Sequence, residues 1–241
     1  WSDRTPTTRM CPSDLATAVG ADNLGRGLAA YLSGDLDVRQ PPLTAAVMSL
    51  IGGVTDAPTL LTAQQALVIT WAVLAVVLLG LMAVRVATVP GADPTQVVLS
   101  PVAALTVLVS PDLLGVALAT LGLVAWLRRR AALAGVLLGL AVMARTYPLV
   151  LLAVMVAVVL VRDPQRRPDL RPLALGALGG VVAVALPLAW HPGTIISAWR
   201  AWWAAGTSLG SPWHVPSLVG TAVPDPLAVA LSVLGWVAAA F

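Results

Sequence analysis

Residues 110–148 decide the fold, and they read SPDLLGVALATLGLVAWLRRRAALAGVLLGLAVMARTYP. Two apolar runs flank Arg128–Arg130, and the outer end of each run is a polar turn that contains proline, Ser110–Asp112 on one side and Arg145–Pro148 on the other. Proline ends or kinks a helix, because it lacks the backbone N–H and its ring clashes with the preceding turn. The stretch therefore predicts short apolar helices separated by polar turns.

The rest of the chain shares this apolar character. Of the 241 residues, 59% are hydrophobic and only 10% are charged, and the mean hydropathy is +0.90. Soluble domains carry about 25% charged residues, so these charges are too few to build a surface that faces water. The composition excludes intrinsic disorder, a nucleic-acid-binding module and a water-soluble enzyme, and it predicts a protein of the plasma membrane.

The lengths of the apolar runs define the expected spans. Thr62–Val86 is long enough for one span, since about 20 residues cross a bilayer. Leu43–Val54 is too short and is predicted to be re-entrant or interfacial. Gln96–Leu127 and Ala131–Val161 are too long for one span, and each is predicted to be a hairpin of two short helices. That interpretation places three groups of arginines on one side, which is cytoplasmic by the positive-inside rule: Arg85, Arg128–Arg130 and Arg162–Arg171.

We therefore predict an all-α, polytopic transmembrane protein with about seven spans and several short helical hairpins. The chain starts at Trp1 without a Met and stops within an apolar run, so we expect an internal piece of a larger membrane protein. The predicted segments are an extracytoplasmic loop (1–42), a short re-entrant or interfacial helix with its loop (43–61), a transmembrane core (62–190), a Trp-rich extracytoplasmic loop (191–220) and a truncated transmembrane helix (221–241).

Four polar groups of residues fall on the predicted outer face. A carboxylate there can accept a proton from an attacking hydroxyl, and a guanidinium can hold a phosphate through paired donors. Both are needed for group transfer from an anionic lipid. The four groups are Cys11–Leu15 with Arg39–Thr44, Asp112, Arg145 with Tyr147, and Gly210–His214.

Each candidate also has a purely structural interpretation. Asp14 fits a solvated loop position, Asp112 a helix N-cap, and Arg145 a helix-end anchor that snorkels to the interface. Trp213 and His214 fit packing at the membrane interface. These alternatives remain open on residue chemistry alone.

Several motifs, taken in order, resemble glycosyltransferase family 87, the actinobacterial polytopic glycosyltransferases of the GT-C class. Its members tend to read Asn-Trp-Asp-Leu at Ser110–Leu113 and Ala-Lys-x-Tyr-Pro at Ala144–Pro148. Cys11–Leu15 resembles the family's Cys-Tyr-Ser-Asp-Ile, and Val38–Thr44 its Val-Glu-Tyr-Pro-Val-Leu-Thr. Gly210–His214 resembles a Gly-Ser-Leu-Trp-Tyr element.

The resemblance runs over roughly residues 10–218. It implies transfer of a hexose, with mannose the first expectation, from a polyprenyl-phosphate sugar to a glycolipid or glycan of the cell envelope, with inversion at the anomeric carbon. It makes Asp14 the general base and assigns phosphate binding to Arg145 with Arg39. Asp112 would orient the acceptor or the arginines.

Tyr147, Trp213 and His214 complete the substrate-binding set that the resemblance implies. The spacing of the histidines does not indicate a metal site, and we predict neither a metal nor a cofactor. One departure from the family is Arg39-Gln40 in place of Glu-Tyr. Loss of that acidic residue fits either a different acceptor or a diverged, inactive member.

Two other classes of function stay open. One is a transporter or lipid-carrier flippase in which the broken helices form a substrate path. The other is a non-catalytic membrane subunit that contacts proteins through its Trp-rich loop. A carrier predicts charges near the middle of helices, whereas here the charges lie in turns and loops, which favours the enzyme.

Overall fold

The structure of the chain is a computed structural model. The residues that it describes form helices joined by turns and short loops, with no strand among them. This confirms the all-α prediction for the described residues. The described residues are 19–20, 22–55, 58–98, 110–205, 224, 226–228, 230–231 and 234–235. In chain order the helices are α1 (Gly27–Leu32), α2 (Pro42–Val54), α3 (Leu60–Val86), α4 (Pro94–Val98), α5 (Leu113–Leu127), α6 (Ala131–Ala144), α7 (Pro148–Val161), α8 (Arg167–Ala185) and α9 (Pro192–Ala205), with short 3-10 turns at Leu24–Arg26, Pro164–Arg166 and Leu186–Leu188.

Two helical segments in the described ranges are long and apolar enough to cross a membrane, namely α3 and Pro164–Leu188. The apolar helices α2, α5, α6 and α7 are shorter, at about 20 Å each for a rise of 1.5 Å per residue. Large apolar side chains of α3 are exposed, among them Ile69, Val76 and Val84. The structure thus fits a membrane protein, and the count of about seven spans stays a prediction.

The second long apolar run divides where its proline predicts. Ala131–Val161 forms α6 and α7, which are separated at Arg145–Tyr147, and Pro148 is the first residue of α7. Proline suits that position because the first helical residue has no intrahelical acceptor for its N–H. In the other run, α5 begins at Leu113, directly after the Ser110–Asp112 turn, and residues 99–109 lie outside the described ranges.

Helices α5 and α6 form a hairpin around the Arg128–Arg130 turn, where Arg129 has a left-handed backbone with φ 61°. Gly122 of α5 lies against Leu138 of α6, and a Cβ on the glycine would lie 2.8 Å from the leucine Cγ. The hairpin therefore packs closely, and it returns the end of α6 to the start of α5.

Helices α6 and α8 approach each other closely through two pairs of glycines. A Cβ on Gly135 or Gly139 would collide with a backbone carbonyl oxygen of α8, and a Cβ on Gly176 or Gly180 would collide with one of α6. From one contact to the next, the residue number rises by four in both helices. The two helices are therefore parallel, and α7 runs back between them along the chain. Each helix carries a G-x-x-x-G spacing, typical of closely packed membrane helices, which the sequence analysis did not use.

The three groups of arginines meet at one end of the helices, as the hairpin interpretation predicts. Buried Arg166 donates to the carbonyl of Trp126 at 2.8 Å, and its guanidinium lies 4.0 Å from the centre of that indole ring. The carboxylate of Asp169 accepts from Arg166 at 3.3 Å and lies 3.8 Å from Arg129. These contacts tie the start of α8 to the α5–α6 turn.

The connection after α3 joins the same end. Arg128 donates to the carbonyl of Thr88 at 3.4 Å, and Arg85 lies in the last turn of α3. We call this region the arginine-rich end; the other end of the α5–α6 hairpin carries Asp112 and Arg145.

The glycine contact gives a testable expectation for stability. Gly180→Leu should lower the melting temperature of the chain in detergent, because the new side chain must push α6 and α8 apart; overpacking of this kind costs about 1–3 kcal/mol. Gly179→Leu is the matched control, since nothing lies within 4 Å of a Cβ at that neighbouring position. Equal melting temperatures for the two variants would contradict the contact.

Candidate functional site

Asp112 and Arg145 form an ion pair between Oδ1 and Nη2. Asp112 directly precedes α5 and Arg145 directly follows α6, so the hairpin brings together two residues that are 33 positions apart. The side chain of Arg145 is 22% exposed and that of Asp112 is 48% exposed. The pair therefore opens to the surface on its carboxylate side.

The predicted capping role of Asp112 is only partly correct. Asp112 occupies the N-cap position of α5, but its side chain makes no capping hydrogen bond. Its carboxylate instead pairs with Arg145, a contact in which both partners are charged. The other predicted role of Arg145, an anchor that snorkels to an interface, does not account for this partner.

The stem of Arg145 packs on the first turn of α5. A Cβ on Gly115 would lie 3.0 Å from Cγ of Arg145 and 3.2 Å from its Cβ, so the glycine makes room for the side chain. The Nε of Arg145 is buried and has no hydrogen-bond partner among the described residues. One guanidinium donor next to the ion pair is therefore unused in this part of the chain.

Tyr147 supplies a second unused donor. Its hydroxyl is buried and makes no hydrogen bond to any residue that the structure describes. Burial raises the pKa of this phenol well above its usual value, the Asp112 carboxylate raises it further, and the Arg145 charge opposes both effects. The phenol thus keeps its proton, and it lies within electrostatic range of both members of the pair.

The end of the first loop packs against the same end of the hairpin. Thr44 of α2 donates to the carbonyl of Ala144 at 2.9 Å in a buried hydrogen bond, one residue before Arg145. Val38 shares an apolar cluster with Leu114 and Ala144. The Oε1 of Gln40, four residues before Thr44, is buried and accepts no hydrogen bond from the described part of the chain. An unused acceptor therefore accompanies the two unused donors.

Arg39, to which the resemblance assigns phosphate binding together with Arg145, has a neighbour within the first loop. It is exposed and lies beside Asp22. Burial raises the pKa of Asp22, the Arg39 charge and a hydrogen bond from the Arg39 backbone lower it, and nearby Asp37 raises it. Within the described part of the chain, no hydrogen bond or ion pair joins Arg39 to the Asp112–Arg145 pair. The sequence did not reveal Asp22 as its neighbour, because the first loop holds several aspartates.

A cleft of about 290 Å³ separates the first loop from the start of α9. Gly34 has φ 79° and lies so close to His191 that a Cβ there would be 2.7 Å from the imidazole Nδ1. The polar residues that line the cleft are Asp37, His191, Thr194 and Ser197. The predicted topology puts both segments on one face, but hydropathy does not indicate this cleft, because it does not report which loop residues meet.

The remaining predicted site residues, Asp14, Trp213 and His214, lie outside the described residues. Across the ranges that are described, no three His, Cys or Asp side chains are grouped closely enough to hold a metal ion.

Comparison of the chain with protein-family models, with curated proteins and with solved structures finds no match.

Proposed function

We propose that this protein is a membrane glycosyltransferase that transfers a hexose, with mannose the first candidate, from a polyprenyl-phosphate sugar to a glycolipid or glycan acceptor. The observation that carries the proposal is the Asp112–Arg145 pair with two buried, unused donors beside it, Arg145 Nε and Tyr147 Oη. One charged and one neutral donor beside an ion pair suit a phosphate.

In the proposed reaction, Asp14 removes the proton from an acceptor hydroxyl, and the hydroxyl oxygen attacks the anomeric carbon of the donor. The bond between that carbon and the phosphate oxygen breaks, and polyprenyl phosphate leaves with the electron pair. Arg145 stabilises the charge that develops on the leaving phosphate. Asp112, released from Arg145 as the phosphate binds, orients the acceptor.

The distribution of charge supports an extracytoplasmic site. The arginine-rich end would face the cytoplasm by the positive-inside rule, and the Asp112–Arg145 pair lies at the other end of the α5–α6 hairpin. The pair occupies turns at helix ends and not the middle of a helix, which favours an enzyme over the carrier alternative. Asp37 and His191 line the cleft at the first loop. Their side chains can form hydrogen bonds with an acceptor that carries many hydroxyl groups.

The role of Arg145 is tested by sugar transfer in membranes that contain the full chain. We expect Arg145→Gln to lower transfer from radiolabelled polyprenyl-phosphate mannose by a factor of about 10²–10³, the usual effect of removing one donor to a developing negative charge. Arg200→Gln, which alters an exposed arginine of α9, is the matched control and should retain activity. Full transfer by Arg145→Gln would refute the phosphate role.

The role of Asp14 is tested in the same assay. Asp14→Asn should reduce transfer by about 10²–10⁴, the range for loss of a general base. Asp93→Asn is the control, because that exposed carboxylate bonds only to Thr95 in the turn after α3. If even the unaltered chain transfers no sugar, the carrier or the non-catalytic subunit becomes the better interpretation.

Exchanging the two charges separates a structural ion pair from a functional one. Asp112→Arg and Arg145→Asp alone should each lower the melting temperature, by roughly 2–4 °C for a loss near 1 kcal/mol, because each leaves two like charges together. The double exchange should restore the melting temperature but not sugar transfer, since the phosphate-binding cation has moved. Recovery of both would show that only the pairing matters.

A further inference from the structure

A second polar site lies at the arginine-rich end, away from the Asp112–Arg145 pair. It is a pocket of about 230 Å³ between α3 and the α5–α6 hairpin, and three arginines line it: Arg85, Arg128 and Arg130. All three side chains are on exposed residues. No aspartate lines the pocket.

The positive charge in this pocket is not neutralised. The adjacent carboxylate of Asp169 is shared by Arg166 and Arg129, neither of which lines the pocket. In the described part of the chain, the side chains of Arg85 and Arg130 make no ion pair or hydrogen bond. Three guanidinium groups around one cavity repel each other unless an anion lies among them, and the planar fork of arginine matches phosphate oxygens.

Apolar side chains also line the pocket, among them Leu81 of α3 and Leu133 and Leu137 of α6. Leu81 is 38% exposed and Leu133 is 45% exposed, so this apolar wall is open to the surroundings. Helix α3 is also one of the two segments long and apolar enough to cross a membrane, which puts the pocket at the end of a candidate span.

We propose that this pocket binds an anionic phospholipid, with its phosphate among Arg85, Arg128 and Arg130 and an acyl chain along the leucines. Basic pockets between membrane helices are known to recognise anionic headgroups. A free phosphate ion would use the arginines but not the apolar wall. The inference does not depend on the proposed transferase activity, because a carrier or a scaffold would bind the lipid in the same way.

The proposal is tested by titrating the full purified chain in neutral detergent with phosphatidylglycerol and counting bound lipids by native mass spectrometry. We expect saturable binding of phosphatidylglycerol and at least tenfold weaker binding of phosphatidylcholine. The double variant Arg85→Gln/Arg130→Gln should bind phosphatidylglycerol at least tenfold more weakly. The reason is that each arginine near an anionic headgroup contributes a factor of about five to the affinity. The variant leaves Arg128 and its bond to Thr88 in place, and an unchanged helical circular dichroism spectrum checks that it folds.

Arg162→Gln/Arg171→Gln is the matched control, because it removes the same charge from exposed arginines near this end that do not line the pocket. It should keep the affinity of the unaltered chain. Equal losses in the two double variants would mean general attraction to surface charge and would overturn the site. Displacement of the lipid by inorganic phosphate at equal concentration, equal binding of phosphatidylcholine, or no binding of phosphatidylglycerol would overturn it as well.

Discussion

The close parallel contact between α6 and α8 is the constraint on which the rest of the structure depends. Four glycines let two backbones meet where any side chain would collide with a carbonyl oxygen. Without a hydrophobic force between helices in lipid, such close van der Waals packing drives association. Because α6 also forms the hairpin with α5, the contact fixes three helices together. It holds the start of α8 beside the α5–α6 turn, where Arg166 reaches Trp126.

The same arrangement divides the charged residues into two groups with different chemistry. At the arginine-rich end, Arg166 and Arg128 satisfy backbone carbonyls, and Arg166 and Arg129 share one carboxylate. These contacts stabilise the connections between helices. At the other end, the guanidinium of Arg145 has a charged partner on its surface side and an unused donor on its buried side. Within the described ranges, this second end holds the buried and unpartnered Arg145 Nε and Tyr147 Oη.

Much of this arrangement could be predicted from the sequence, because proline and arginine act locally. Proline at 148 marks the start of α7. Keeping the arginines on one side predicted that Asp112 and Arg145 lie on the same face, and the structure pairs them there. The α6–α8 contact was missed because its signal is a spacing of small residues and not hydropathy. The position of Asp22 beside Arg39 could not be predicted, since several loop aspartates were equivalent until tertiary packing buried one of them.

The unused polar atoms beside the ion pair are the strongest physical argument that this end has a function. A buried donor without a partner costs about 1–3 kcal/mol, which is a large part of the stability of a folded protein. Among the described residues, Arg145 Nε and Tyr147 Oη are two such donors, and Gln40 Oε1 is an unpartnered acceptor on the loop that packs on the same end. A phosphate would satisfy the two donors, and a hydroxyl would satisfy the acceptor. Proteins leave buried polar atoms without hydrogen-bond partners mainly at functional sites. A ligand that carries both a phosphate and a hydroxyl, such as a sugar phosphate, would supply the partners.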